Sequence, residues 1–398
     1  MPDQPLTSVN PAVHSDPMAP GWKPPPNDPD PSGVDDCIAL CLSGGGYRAM
    51  VFHVGVLWRL NEAGVLPRLD RISCVSGGSI TGAVLGLTWK DLKDYGFSAE
   101  AFEQLLVAKV RAVAGTDIDA QAIVLGAALP VISASDLVAR DYRNHIFGEA
   151  TLQSLPDWPM FVFNATNVQS GALCRFTKQY MWDWRVGKIP KPDIELAVAV
   201  GASSAFPPFL SPVILKVKED QFAPGTGDDL QAPPYTTRLV LTDGGVYDNL
   251  GLETAFKRCR TLLVSDAGGQ MQPEEKPNED WGLHSKRVLD LVDNQVRNLR
   301  KRQLLDALKS SDPVHCRKGA FWSVRSDISD YDLPSALPAP FARTQELAAT
   351  PTRLAAMPKD LQERLINWGY TICDAAIRKH WDQTIALPRG LPYSGAGI

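Results

Sequence analysis

The 398-residue chain has no apolar run approaching the roughly 18 residues that a membrane-crossing helix needs. Its opening stretch, "MPDQPLTSVNPAVHSDPMAP", has no basic region followed by an apolar one, so no cleaved secretory signal is expected. Cysteine is scarce and odd in number: seven residues, thinly spread, do not build a disulfide framework. Cys37 and Cys41 fall on one face of a strand-like run without zinc-ligand spacing and are expected as small core residues. There are only six histidines, and no cluster of His, Cys, Asp or Glu has metal-ligand spacing, so neither a metal nor another cofactor is expected. A net charge of -5 excludes a global attraction to nucleic acid, and no nucleic-acid partner is expected. Together these absences predict a reduced, cytoplasmic setting.

What remains is the composition of a folded domain: 44% hydrophobic and 21% charged residues, over a length that buries a sizeable core. Residues 1–35 are crowded with proline, aspartate and small polar residues, as in "KPPPNDPDPSG". Such a segment has little apolar area to offset its ordering entropy and is expected to be a disordered tail. Residues 36–383 carry the domain, including a helical part from about 285, and 384–398 follow as a C-terminal tail. No internal repeat is present.

From Cys37 onward short apolar runs alternate with helical patterns. "CIALCLS" reads as a strand, "GGG" as a turn, and "YRAMVFHVGVLWRLNEAG" as a helix apolar nearly all round that stops at Gly64. "RISCV" and "GGSITGAVLGLTW" repeat the strand-to-helix pattern. Further strands are expected at "MFVFNAT", "RLVLT", "TLLVSDAG" and "AFWSVRS", and helices at about 285–309 and over "PKDLQERLINWGYTICDAAIRKH". The alternation predicts an α/β fold with a mainly parallel central sheet and helices on both faces.

Three turns hold the chemistry. In "RISCVSGGSITG" a buried strand ends at Val75, which makes Ser76 the first side chain able to stand proud of the sheet edge. Gly77 and Gly78 permit a sharp turn into a helix whose free amides face any developing negative charge. Ser79 falls in the first helical turn, where its hydroxyl serves the backbone, so Ser76 is the better nucleophile. Cys74 stands where a Gly-x-Ser-x-Gly turn has its first glycine. In "SGGGYRA" the amides of Gly44, Gly45 and Gly46 can form a nest for an oxyanion, with Arg48 organising the loop. In "RLVLTDGGVYDNLG" a strand delivers Asp243 onto a turn opened by Gly244 and Gly245, where a carboxylate can take the serine proton. Asp266, at the end of "LLVSD", is the second-choice carboxylate.

In combination, Gly44-Gly45-Gly46-x-Arg48, Ser76-Gly77-Gly78 and Asp243-Gly244-Gly245 resemble the three motifs of the bacterial patatin-like phospholipases, in the family's order. "FNATNVQSGALCRF" and "AVAVGASSAFPPFLSPV" also resemble family blocks, and the likeness covers about residues 37–383. The departure from the pattern is Cys74. The resemblance implies a patatin-like three-layer fold and a Ser76–Asp243 dyad without histidine. It also implies an acyl-ester lipid, such as a phospholipid, as substrate.

Two other readings stay open. One is an α/β-hydrolase esterase in which His284 or His315 completes a triad. The other is a catalytically idle lipid-binding protein of the same fold. His53, inside an apolar helix, reads as a satisfied core residue, and His380 falls in a polar context. For lipid contact the candidates are the apolar stretch at about 119–133 and "QYMWDWRVGK", 179–188. The latter sets Trp182 and Trp184 beside Arg185 and Lys188, which suits peripheral membrane contact as well as a surface strand. "RNLRKR", 297–302, reads as a solvated helix face.

Overall fold

The computed structural model describes residues 34–118, 134–208 and 210–398. The expected disordered tail, up to residue 33, and the apolar stretch 119–133 lie outside the described residues. Strand β1 (Asp35–Leu42) runs between β2 (Arg71–Cys74) and β9 (Cys259–Asp266), parallel to both. Strand β3 (Met160–Asn167) continues the parallel order beyond β2, and β10 (Lys318–Ser323) continues it beyond β9. Being covered on both faces explains why "IALCL" is an unbroken apolar run rather than an alternating one. Leu40 and Leu42 point into one core, and Ala39 and Cys41 into a second, smaller one on the opposite face.

Helix α1 (Gly46–Glu62) and helix α2 (Gly77–Asp94) follow β1 and β2. Helix α1 is apolar nearly all round because it is covered twice, by the sheet and by the helix Lys359–His380. The two helices touch backbone to backbone: a Cβ at Gly55 would lie 1.9 Å from the Ile366 carbonyl oxygen, and one at Gly369 would lie 2.0 Å from that of Phe52. The buried pair Arg59–Asp374 (2.8 Å), to which Arg378 also bonds, locks the crossing. Residues expected as a C-terminal tail lie against this same helix, where Asn367 bonds the backbone of Tyr393 and Gly397.

Beyond β3 the sheet turns antiparallel, through β4 (Ala172–Phe176), β5 (Tyr180–Asp183) and β6 (Gly187–Pro190). Trp182 and Trp184 belong to this hairpin as half-buried residues. Trp182 is held between Arg175 (4.3 Å) and Lys188 (4.9 Å), and Arg185 pairs with Asp229. The aromatic-cationic segment is therefore a surface strand whose charges are already engaged.

Cys41 is buried and free as expected, but Cys37 is not: it forms a disulfide with Cys259, 222 residues away. The parallel pairing of β1 with β9 brings their Cα atoms to 4.8 Å, a juxtaposition no sequence spacing can reveal. The low cysteine count accordingly says nothing about a reducing setting. Among the described residues, no helix is long and apolar enough to cross a membrane.

Candidate active site

Strand β3 brings the two halves of the site together. Its first half pairs with β2, ending at Cys74 opposite Phe163. Where β2 stops, β8 (Arg238–Asp243), which also pairs with β7 (Val213–Lys216), takes over the same edge in the antiparallel sense, with Asp243 opposite Ala165. The end of the nucleophile strand and the end of the aspartate strand thus meet two residues apart along β3.

Ser76 sits at φ 51°, ψ -121°, a backbone conformation that a side-chain-bearing residue adopts only when its surroundings impose it. Those surroundings are specific. The Ser76 amide donates to Ser203 Oγ (3.1 Å), which itself donates to the Asn164 carbonyl (2.7 Å). Ser79 Oγ lies 2.8 Å from Ser203 Oγ and is fully buried, so its proton is committed there and Ser76 carries the available hydroxyl. Ser203 and Asn164 lie in the two blocks that resembled the family, but nothing in those stretches marked either side chain as a support for the elbow.

Ser76 is a hydrogen-bonding neighbour of the Asp243 carboxylate, which accepts the Gly245 amide (2.6 Å). Burial pushes the Asp243 carboxyl up to about 7; the bonds from Gly245 and Ser76 oppose that rise, and the charge of Asp293 adds to it. A carboxylate with this affinity for protons is matched to accepting one from serine near neutral pH. Asp266 is engaged elsewhere: it accepts the Gly268 amide (2.9 Å) on the far side of the glycine loop.

The glycine loop touches the elbow directly. A Cβ at Gly77 would lie 2.1 Å from the Gly46 carbonyl oxygen, and one at Gly44 would lie 3.0 Å from Ser76 Cβ. Of the three amides expected to hold an oxyanion, that of Gly44 does not qualify, because it donates to the Asn249 carbonyl (3.1 Å). The amides of Gly45, Gly46 and Gly77 have no acceptor among the described residues and are the donors available at this turn. Asn249, which sequence reasoning missed, fills the space left by three glycines: a Cβ at Gly44, Gly245 or Gly268 would come within 2.9 Å of its side chain. Arg48 holds the loop from behind. Its guanidinium donates to the carbonyls of Ala267 (3.0 Å) and Thr350 and to Thr352 Oγ1 (3.0 Å), so it organises the loop rather than facing the oxyanion. Burial lowers its pKa to about 10, which leaves it charged at neutral pH.

No histidine joins the described site. His53 is buried between Ser265 Oγ (3.0 Å) and the Ser43 carbonyl (3.0 Å), and burial lowers its pKa to about 4. His284 bonds the Asn278 carbonyl, His315 bonds Asp312, and His380 stacks on Tyr331. No group of three or more His, Cys, Asp or Glu able to hold a metal occurs among the described residues.

Cys74 fits because α2 makes room for it. A Cβ at Gly82 would lie 2.4 Å from Cys74 Sγ, so the missing glycine of the elbow has moved one helical turn into α2. Burial pushes the thiol pKa up, which keeps it inert. Gly82→Ala should therefore destabilise the protein by the roughly 1–3 kcal/mol typical of overpacking, and adding Cys74→Gly should restore it. Thermal melts and kcat of the two single variants and the double variant check this; additive losses would show that the two positions do not share the space.

A family model described as patatin-like phospholipase matches residues 40–256. No curated protein matches the chain significantly. Among solved structures, human GIVD cytosolic phospholipase A2 is similar at 15% identity and a TM-score of 0.48, over 84% of this chain and 60% of that one. The same enzyme in complex with methyl gamma-linolenyl fluorophosphonate is similar at 16% identity and a TM-score of 0.47, over 85% and 57%. VipD from Legionella pneumophila is similar at 16% identity and a TM-score of 0.34, over 86% and 66%. The chain thus spans about 60% of the length of the human structures it resembles.

Proposed function

The chain belongs to the patatin-like phospholipase family, and from that premise we propose that it is a lipid acyl hydrolase working through a Ser76–Asp243 dyad. The observation that carries this reading is the placement of Ser76, in a strained elbow, beside the buried Asp243 carboxylate, with the amides of Gly45, Gly46 and Gly77 lacking an acceptor among the described residues. Asp243 takes the Ser76 proton as Oγ attacks the ester carbonyl of a phospholipid. The amides of Gly45, Gly46 and Gly77 receive the oxyanion, and Asp243 returns the proton to the departing alcohol oxygen. Water then attacks the acyl-serine, Asp243 accepts its proton, the acyl–Oγ bond breaks, and the proton passes to Ser76 as the fatty acid leaves.

The strained conformation of Ser76 supports this role, since such backbone geometry concentrates where a nucleophile must be presented. The test is to incubate the purified chain with a fluorophosphonate probe and with mixed phospholipids, identifying adduct and products by mass spectrometry. Labelling of Ser76, with release of free fatty acid that Ser76→Ala abolishes, is the expected result. Labelling of Ser79 instead, or intact lipid with an unlabelled Ser76, would overturn the reading.

A further inference from the structure

Helix Trp281–Lys309 is amphipathic the wrong way round for a surface helix. At about 100° per residue, Trp281, Val288, Val292 and Leu299 fall within roughly 40° of one another, with Leu291 flanking them. All five are exposed, Trp281 at 83%. Nearer the N-terminus the opposite arc exposes Leu283, but from Asp293 onward it is turned toward the protein and holds Asp293, Arg297 and Arg300. There Arg297 is buried, and Arg300 pairs with Glu253 (2.6 Å). In the segment expected as a solvated basic face, Arg297 is buried and Arg300 is paired, while Leu299 and Arg302 are exposed.

This is not the ordinary scatter of surface hydrophobics. Six of the fourteen large apolar side chains exposed among the described residues lie on this single helix. The five on one arc form a stripe about 27 Å long at the usual helical rise. The helix also borders the catalytic machinery. It packs on the Gly245–Asp248 turn that follows Asp243, and Arg300 lies over the Tyr247 ring (5.9 Å). The charge of Asp293 reaches Asp243, and a Cβ at Gly268 would lie 2.1 Å from the Arg297 guanidinium. Two more exposed apolar side chains, Phe206 and Val246, sit on the segments that bracket Asp243.

The distribution of charge says what such a face meets. Between Trp281 and Gln303 the exposed arc carries no carboxylate; exposed acidic side chains lie beyond its two ends, Glu279 and Asp280 before it and Asp306 after it. The polar members of the arc include His284, Ser285, Gln295 and Arg302, and the hydrogen bond of the Arg302 guanidinium among the described residues is to the Asn298 carbonyl (3.4 Å). An apolar stripe edged by Arg302, with its carboxylates confined to the two ends, can be buried in a bilayer while the guanidinium meets anionic headgroups. We propose that the Trp281–Leu299 face of this helix is the surface by which the protein docks on anionic phospholipid bilayers, setting the Ser76–Asp243 site against its lipid supply. The choice of a lipid surface as occupant rests on the hydrolase reading above.

The experiment separates docking from chemistry. Ser76→Ala protein, which cannot turn over, is cosedimented with phosphatidylcholine vesicles containing phosphatidylglycerol, with and without Val288→Ser, Val292→Ser and Leu299→Ser together. The triple change should cut vesicle partitioning at least about tenfold, since three buried apolar side chains are withdrawn from the interface. Arg302→Glu should weaken binding to these vesicles more than to pure phosphatidylcholine. With Ser76 intact, the triple variant should keep its rate on a monomeric short-chain ester within about twofold. Unchanged partitioning of the triple variant would overturn the proposal. So would a dimer that the triple change dissociates in sedimentation velocity while vesicles bind neither form, which would assign the face to a second copy. Vesicle binding through this face by a chain that hydrolyses no ester would support the docking surface while removing the hydrolase reading.

Discussion

Asp243→Asn should lower kcat by about 10²–10⁴-fold, the range typical of losing general-base help, and at the same time raise the melting temperature. Both effects come from one carboxylate. Asparagine keeps the shape and accepts the Gly245 amide, but it cannot take the Ser76 proton. The stability effect follows from the direction of the pKa shift. Burial lifts Asp243 from an ordinary 3.8 to about 7, so its contribution to stability is fully present below the ordinary value and is lost as pH rises through about 7. At pH 8 wild type buries an ionised carboxylate and the variant does not. The gain in melting temperature should therefore be larger at pH 8 than at pH 5.

The same ionisation sets the pH profile. Because the base must be unprotonated, kcat/KM of wild type should rise about tenfold per pH unit below about 7 and level off above it. The measurement is kcat on one soluble ester for Asp243→Asn and for single replacements of His284, His315 and His380, with His53→Gln as the gentler change at a core position. Circular dichroism verifies each fold. A correctly folded histidine variant as inactive as Ser76→Ala would replace the dyad with a triad.

Gly77→Ala should be nearly as damaging, with a loss in kcat of about 10²–10³-fold, comparable to losing an oxyanion donor elsewhere. The reason is geometric. The new Cβ would lie 2.1 Å from the Gly46 carbonyl oxygen and 3.1 Å from the Gly46 amide nitrogen, and backbone cannot swing aside as a side chain does. The glycine loop and the elbow would be forced apart, separating two of the amides that receive the oxyanion from the nucleophile. Gly395→Ala, where a Cβ meets nothing within 4 Å, is the control for alanine itself. Retention of full kcat by a folded Gly77→Ala protein would mean that the loop and the elbow do not act on the same oxygen.

Much of this was legible in the chain alone, for reasons that can be named. The strand-turn-helix units were readable because a buried parallel strand must be continuously apolar and a turn into a helix needs glycine at close approaches, as at Gly77. Helix α1 could be recognised as covered on all sides because no polar stripe interrupts it. That Ser76 rather than Ser79 stands partly exposed at the elbow follows from its position relative to the strand end. These are local properties, carried within a dozen residues, and sequence by itself determined them.

What tertiary structure decided involves partners distant along the chain. Cys37 meets Cys259 only because β1 and β9 are neighbours. Asp243 reaches Ser76 only because β8 replaces β2 along the edge of β3. Gly44 loses its amide to Asn249, and Arg48 is spent on Ala267, Thr350 and Thr352, so neither residue type announces which role it fills. Cys74 looked like a flaw in the elbow until Gly82 was seen opposite it. The sequence showed a helix at about 285–309 but not which side faces water; burial of Arg297 and the pairing of Arg300 with Glu253 set that. Local pattern encodes the shape of each element, whereas which groups share a space is set by packing between elements, and packing has no period in the sequence.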